Sequence, residues 1–277
     1  MEPIGVVGLL LIFLIFLVSF NALRDETFFQ KYIFHIEKIL IGKDYKRLIT
    51  SGFIHVSWLH LIMNLYTLYA FSDVLEYRIG YLNFLIVYFS SLLGGSFLSL
   101  YIHRNHGDYS AASASGAISG IIFSAIALYP DINVGLIIFY MPGWLFGFLF
   151  VLISIYGIKS RLENIGHDAH LGGALAGLIA TVLLYPESLM ENYGTIALIG
   201  IPSLIFIFII IKYPSFLIIP SFSFRSSDKN LTFEHRYNSE KIRKQKELDR
   251  ILDKIHKKGI NSLSKKEKEI LNSFSEK

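Results

Sequence analysis

The chain contains no cysteine. Disulfides, thiolate metal sites and a cysteine nucleophile are therefore excluded, and redox compartment leaves no mark on the sequence. Charge is also scarce: 17% of the 277 residues are Asp, Glu, Lys or Arg, against about 25% in soluble globular domains. No His-Glu-x-x-His occurs, and the apolar stretches lack the carboxylates that complete most histidine metal sites. What is abundant is apolar: 53% of residues are hydrophobic and mean hydropathy is +0.49. Composition alone makes this a membrane protein.

The charge is unevenly placed. Residues 1–220 hold 11 Lys/Arg and 13 Asp/Glu, whereas residues 221–277 hold 15 and 9. The organisation read from this is a membrane-embedded body over 1–220 and a soluble basic tail over 221–277. Interleaved acids and absent aromatic platforms argue against nucleic-acid binding despite a pI near 9.

Pro3–Phe20 is an apolar run just long enough to cross a bilayer of about 30 Å. Glu2 before it and the lack of a small-x-small site after it argue against a cleaved signal peptide. Residues 21–54 form a polar loop with amphipathic pieces such as Phe28–Leu40. Further apolar segments lie near Trp58–Phe71, Leu82–Tyr101, Ala114–Tyr129, Trp144–Ile158, Ala169–Tyr185 and Ile196–Ile211. Several are short for a span, so they pack within a bundle or begin partway into the membrane. Gly135–Met141 is apolar but meets Pro142, and is read as leading into the fifth span. In the tail, Leu248, Ile251, Leu252 and Ile255 share one helical face, and Ser264–Glu267 is a capping box. A short helical hairpin is expected, docked on a protein partner or the membrane surface; the competing reading is a solvated charged tail.

Polar residues inside spans are costly and mark function by default. The second segment supplies His55, His60 and Asn64, the last two on one helical face. The fourth opens with Ser115 and the sixth with His170. A membrane serine more often bonds back to its own helix, and a lone histidine is more often a packing residue. Glycine placement shifts that balance. Gly116 and Gly120 follow Ser115, and Gly173 and Gly177 follow His170, at the spacing that lets two helix backbones approach closely. Two such helix starts bring a nucleophile and a base within reach, and free N–H groups there face a developing oxyanion.

Taken in order, these residues resemble the rhomboid intramembrane serine proteases over roughly residues 40–185. Arg47 and the following Ser51–His55 stand where the family has its first-loop Trp-Arg motif, with only the arginine kept. His55, His60 and Asn64 match His-x4-His-x3-Asn, and Glu76-Tyr77-Arg78-Ile79-Gly80 matches Glu-x-Arg-x-Gly. Ser115-Gly116-Ala117 matches the nucleophile motif, and Ala169–Gly173 the general-base helix. The resemblance implies an all-α polytopic fold: a six-helix bundle of core 40–185, with an added hydrophobic helix near 196–219 and the tail.

The resemblance further implies a Ser115–His170 dyad cleaving transmembrane segments of membrane proteins. His60 and Asn64 would stabilise the oxyanion, and His55, Arg47, Glu76, Arg78, Gly116 and Gly173 would give structural support. No metal and no cofactor are expected; the partners are transmembrane substrates and the bilayer. The setting is taken as the plasma (inner) membrane of a bacterium. One departure stands out. The family usually has glycine two residues before the nucleophile, and here Ser113 replaces it, at a cost expected in strain or room. Ser119 is the competing nucleophile, but the Ser-Gly-Ala-Ile-x-Gly register fits only Ser115. Asp168 is read as a loop or capping residue, not a triad acid.

Two rival readings are a histidine metal site at His55, His60, His167 and His170, and a catalytically inactive rhomboid-like protein that binds transmembrane clients. Sidedness signals conflict. The family's site faces away from the cytoplasm, which with seven spans places the tail outside as well. The positive-inside rule, applied to six Lys/Arg in the 21–54 loop and fifteen in the tail, favours the reverse. Cysteine accessibility at position 230 decides between them.

Overall fold

Apart from Gly135–Met141, the apolar spans read from the sequence fall on helices over the described residues. The computed structural model describes residues 5–136, 139–160 and 166–213, with Ile251, Ile255, Leu263 and Ser264 of the tail. The long helices are α1 (Val6–Ala22), α5 (Trp58–His103), α6 (Ser115–Leu128), α7 (Gly143–Ser160), α8 (His167–Leu184) and α10 (Tyr193–Lys212). Short helices α2 (Glu26–Tyr32), α3 (Ile36–Leu40) and α4 (Arg47–Thr50) lie between α1 and α5, and α9 (Glu187–Glu191) precedes α10. Among the described residues, α5, α8 and α10 are long and apolar enough to cross a membrane, and Val6–Ala22, Ser115–Leu128 and Gly143–Lys159 are shorter apolar helical stretches.

α5 is two helices in one. Gly80 breaks it with φ 76° and ψ 161°, a left-handed backbone that glycine adopts freely and other residues resist. The break frees the Ile79 carbonyl, and Tyr185 beyond the end of α8 donates its hydroxyl to it at 2.9 Å while accepting from Asn83 at 2.8 Å. A polar staple thus replaces the helical bond.

α6 is packed against α5 and α8, and these three helices make the dominant contacts among the described residues. Nearly all of α6 is buried, from Gly116 to Ala127. The core includes Leu68, Leu75, Phe84, Tyr88, Ile121, Ile126 and Leu171. Outward-facing apolar residues are numerous: Leu10, Phe13, Leu59, Leu183 and Phe208 are each more than half exposed, as expected of side chains that meet lipid rather than water. α6 stops where Asn192 donates to the Ala127 carbonyl at 3.0 Å.

The 21–54 loop is more ordered than its polar sequence suggests. Asp25 caps α2, and the Thr27 hydroxyl and Phe28 N–H hold its carboxyl below the ordinary carboxylate range. Phe29, Ile33, Ile36 and Ile39 are buried. β1 (Phe34–His35) pairs antiparallel with β2 (Ser110–Ala111), tying this loop to the segment that leads into α6. Gly135–Met141, expected to lead straight into the fifth span, belongs to a hairpin instead: β3 (Asn133–Leu136) pairs with β4 (Phe139–Pro142), and α7 begins at Gly143.

The chain divides into two units, Met1–Ser223 and Phe224–Lys277. In the second, Ile251 and Ile255 are helical and one turn apart, with Ile251 and Leu263 buried. Leu248 and Leu252 of the expected apolar face, and most of the capping box, lie outside the described residues.

Candidate active site

The site forms where two helices start side by side. Small residues allow this: a Cβ on Gly177 would stand 2.5 Å from the Gly120 Cα, and one on Gly173 would overlap the Gly116 carbonyl. Further along the same seam, Thr181 donates to Ser124 at 2.6 Å. Backbones this close carry their first residues into contact. Ser115 is the first residue of α6 and His170 lies in the first turn of α8. Ser115 Oγ and His170 Nε2 are 2.8 Å apart, within the range of a nucleophile and its general base. Both are half-buried within an apolar bundle.

Ser119 is disposed of by its own hydrogen bond. It is buried and its hydroxyl donates to the Ser115 carbonyl at 2.8 Å, the back-bonding usual for a helical serine. Asp168 is buried but turned away from the dyad: its carboxylate lies 3.3 Å from His103 Nε2 on α5, and His103 stacks on Tyr109 at 3.6 Å.

His60 and His55 approach from the other side, their rings edge to face at 5.3 Å. His60 is half-buried, and its Nε2 lies 3.1 Å from Ser113 Oγ. Ser113 Oγ also accepts the Ser115 backbone N–H at 3.0 Å. Asn64 is buried one turn along α5 and donates to the His60 carbonyl at 2.9 Å. His55 is fully buried. Its Nδ1 lies 2.9 Å from Ser19 Oγ, which donates to the Phe53 carbonyl, and its Nε2 accepts the Ala114 N–H at 3.4 Å. One neutral tautomer, with the proton on Nδ1, satisfies all three bonds, so His55 bridges α1 to the residue before Ser115.

The supporting residues fall as follows. Arg47 is buried, donating to Asp44 at 2.8 Å and to the Gln30 and Ile33 carbonyls at 3.0 and 2.7 Å, which pins the loop. Glu76 accepts from the first N–H groups of α1. Arg78 is exposed. Gly116 and Gly173 meet backbone to backbone in the α6–α8 seam. Ser19, which anchors His55, escaped the sequence reading; as a hydroxyl inside an apolar run it carried the same signal as the other polar span residues. Of the four histidines of the metal reading, His55, His60 and His170 each meet a serine hydroxyl, and among the described residues no three His, Asp or Glu converge as metal ligands.

Comparison with known proteins follows the same stretch of chain. A family model, the Rhomboid domain, matches residues 42–187, and a family of unknown function (DUF6576) matches residues 231–277. The chain is 31% identical over 161 residues to Rhomboid protein 1, mitochondrial, of Saccharomyces cerevisiae, covering 55% of this chain and 45% of that protein. It is 27% identical over 195 residues to RHOMBOID-like protein 6, mitochondrial, of Arabidopsis thaliana, covering 63% and 58%. It is 27% identical over 135 residues to Presenilin-associated rhomboid-like protein A, mitochondrial, of Danio rerio, covering 47% and 35%. The chain spans about half the length of the curated relatives it matches. These names overturn the expected bacterial plasma membrane, for which neither composition nor motif had supplied a physical argument: the relatives are mitochondrial proteins.

Proposed function

The chain belongs to the rhomboid family, and on that premise we propose that it is an intramembrane serine endopeptidase cleaving transmembrane segments through Ser115 and His170. The observation that carries this reading is the 2.8 Å contact of Ser115 Oγ with His170 Nε2. With Nε2 unprotonated, His170 takes the hydroxyl proton as Oγ adds to the scissile carbonyl. The oxyanion is received by the Ser115 backbone N–H and His60, with Asn64 beside them. Collapse expels the amine, which takes its proton from the His170 imidazolium. Water, deprotonated in turn by His170, hydrolyses the ester on Ser115. His55, Arg47, Glu76, Gly116 and Gly173 hold this arrangement in shape.

The substrate is a membrane protein whose helix unwinds locally at the site, since an intact helix keeps its carbonyls engaged. The names of the relatives support a mitochondrial membrane as the setting. The body over 1–220 carries the chemistry, and the basic tail over 221–277 is a separate docking element.

Fluorophosphonate labelling of the purified chain in detergent tests the reading. Wild type is labelled, Ser115→Ala is not, and His170→Ala loses roughly 10³-fold or more in rate. Labelling that persists in Ser115→Ala overturns the assignment. A folded wild type that binds transmembrane segments but is never labelled is the inactive client-binding relative instead.

A further inference from the structure

Ser113 departs from the family's nucleophile motif, and its hydroxyl has an unusual pair of neighbours. One bond, from the Ser115 N–H at 3.0 Å, would by itself be an ordinary local turn between a serine and the backbone two residues on. The second partner is not local. His60 Nε2, 53 residues away in sequence and on another helix, stands 3.1 Å from the same oxygen. These are the two donors that the proposed mechanism aims at the substrate oxygen. With His60 carrying its proton on Nε2, both N–H groups converge on Ser113 Oγ, the arrangement an oxyanion would enjoy.

We propose that the Ser113 hydroxyl occupies the oxyanion site of the resting protein and must swing out before the tetrahedral intermediate can be stabilised. The inference rests on the serine-protease reading. The physical case is one of supply and demand for donors. In an apolar bundle, unpaired N–H groups are costly, and a hydroxyl two residues before Ser115 satisfies them in the absence of substrate. Ser113 is half-buried, and rotation about one side-chain bond vacates the site. A neutral substrate carbonyl is a poor competitor, being an acceptor of similar strength. An oxyanion is a much stronger acceptor, so displacement accompanies the chemical step rather than binding.

That timing separates the proposal from a merely structural role. Removing the hydroxyl raises the maximal rate of acyl or phosphonyl transfer by roughly two- to tenfold for each of the two neutral hydrogen bonds released, and leaves the half-saturating concentration unchanged. The full chain in detergent is treated with a fluorophosphonate over a concentration series, which yields both quantities, for wild type, Ser113→Ala, Ser113→Gly and Ser113→Thr. Ser113→Ala and Ser113→Gly are expected to react faster at saturation, and Ser113→Thr, which keeps a hydroxyl, to return toward the wild-type rate. The glycine variant serves if the alanine variant does not fold. Ser115-dependent labelling that is unchanged or slower without the hydroxyl overturns the proposal and leaves the protease reading standing. No labelling in wild type or in either variant that lacks the hydroxyl overturns both.

Discussion

Glu76 Oε2 lies 2.9 Å from the backbone nitrogen of Gly8, 68 residues earlier in the chain, while its Oε1 takes the Val7 N–H at 3.0 Å. A carboxylate late in the first half of α5 therefore caps α1, whose own cap position, Gly5, has no side chain to offer. The Asp73 carboxylate adds a third bond, to the Gly5 N–H at 2.9 Å. Negative charge at a helix start also opposes the positive end of its dipole. Glu76→Ala is expected to lower stability by about 1–2 kcal/mol, and Glu76→Gln by less, since the amide oxygen still accepts one bond. Thermal unfolding in detergent reads the difference; equal melting of all three proteins counts against the cap.

The α6–α8 seam makes a second prediction. Gly177→Ala would press a methyl group to 2.5 Å of the Gly120 Cα, against backbone that cannot rotate aside. Separation of the two helices is the only relief, and overpacking of this kind costs about 1–3 kcal/mol. The same separation lengthens the Ser115–His170 contact, so labelling slows along with the loss of stability. An alanine variant as stable and as reactive as wild type counts against this close packing of the two helices. Gly194→Ala, with nothing near its Cβ, is the matched control.

Asp168 supplies the third. Its carboxylate faces His103 at 3.3 Å, not His170. Asp168→Asn is expected to reduce the reaction of folded protein by less than roughly tenfold, whereas loss of a true triad acid costs about 10⁴-fold. Phosphonylation rates corrected for folded fraction distinguish the two; a drop of the larger size makes Asp168 part of the reacting group.

Which of these features could be read from the residues alone follows from how local each one is. The glycine rows at 116, 120, 173 and 177 were legible, because close helix approach requires small residues at fixed spacing. Gly80 was legible through its motif, and its positive φ explains the choice of residue. The β1–β2 ladder was not: two-residue strands have no periodicity to detect. Gly135–Met141 looked like a lead-in to a helix because a short apolar stretch reads alike as strand or helix. Glu76 was expected to hold the turn beside it, and its actual partners depend on where α1 packs. Ser113 was read as a departure costing strain or room. Its hydroxyl meets the Ser115 N–H and the His60 ring, the latter on a helix that only the closed fold brings near.

α6 also sets a depth. Its 14 residues rise about 21 Å at about 1.5 Å each, while the hydrocarbon layer is about 30 Å thick. With its Leu128 end at one surface, the helix stops about 9 Å short of the other, and Ser115 sits at that stop. Under the proposed reading α6 works as a ruler. The bond that can be cut is fixed by distance from one face of the membrane, so sliding a client helix along its own axis by a few residues changes which peptide bond is presented before any side chain is inspected.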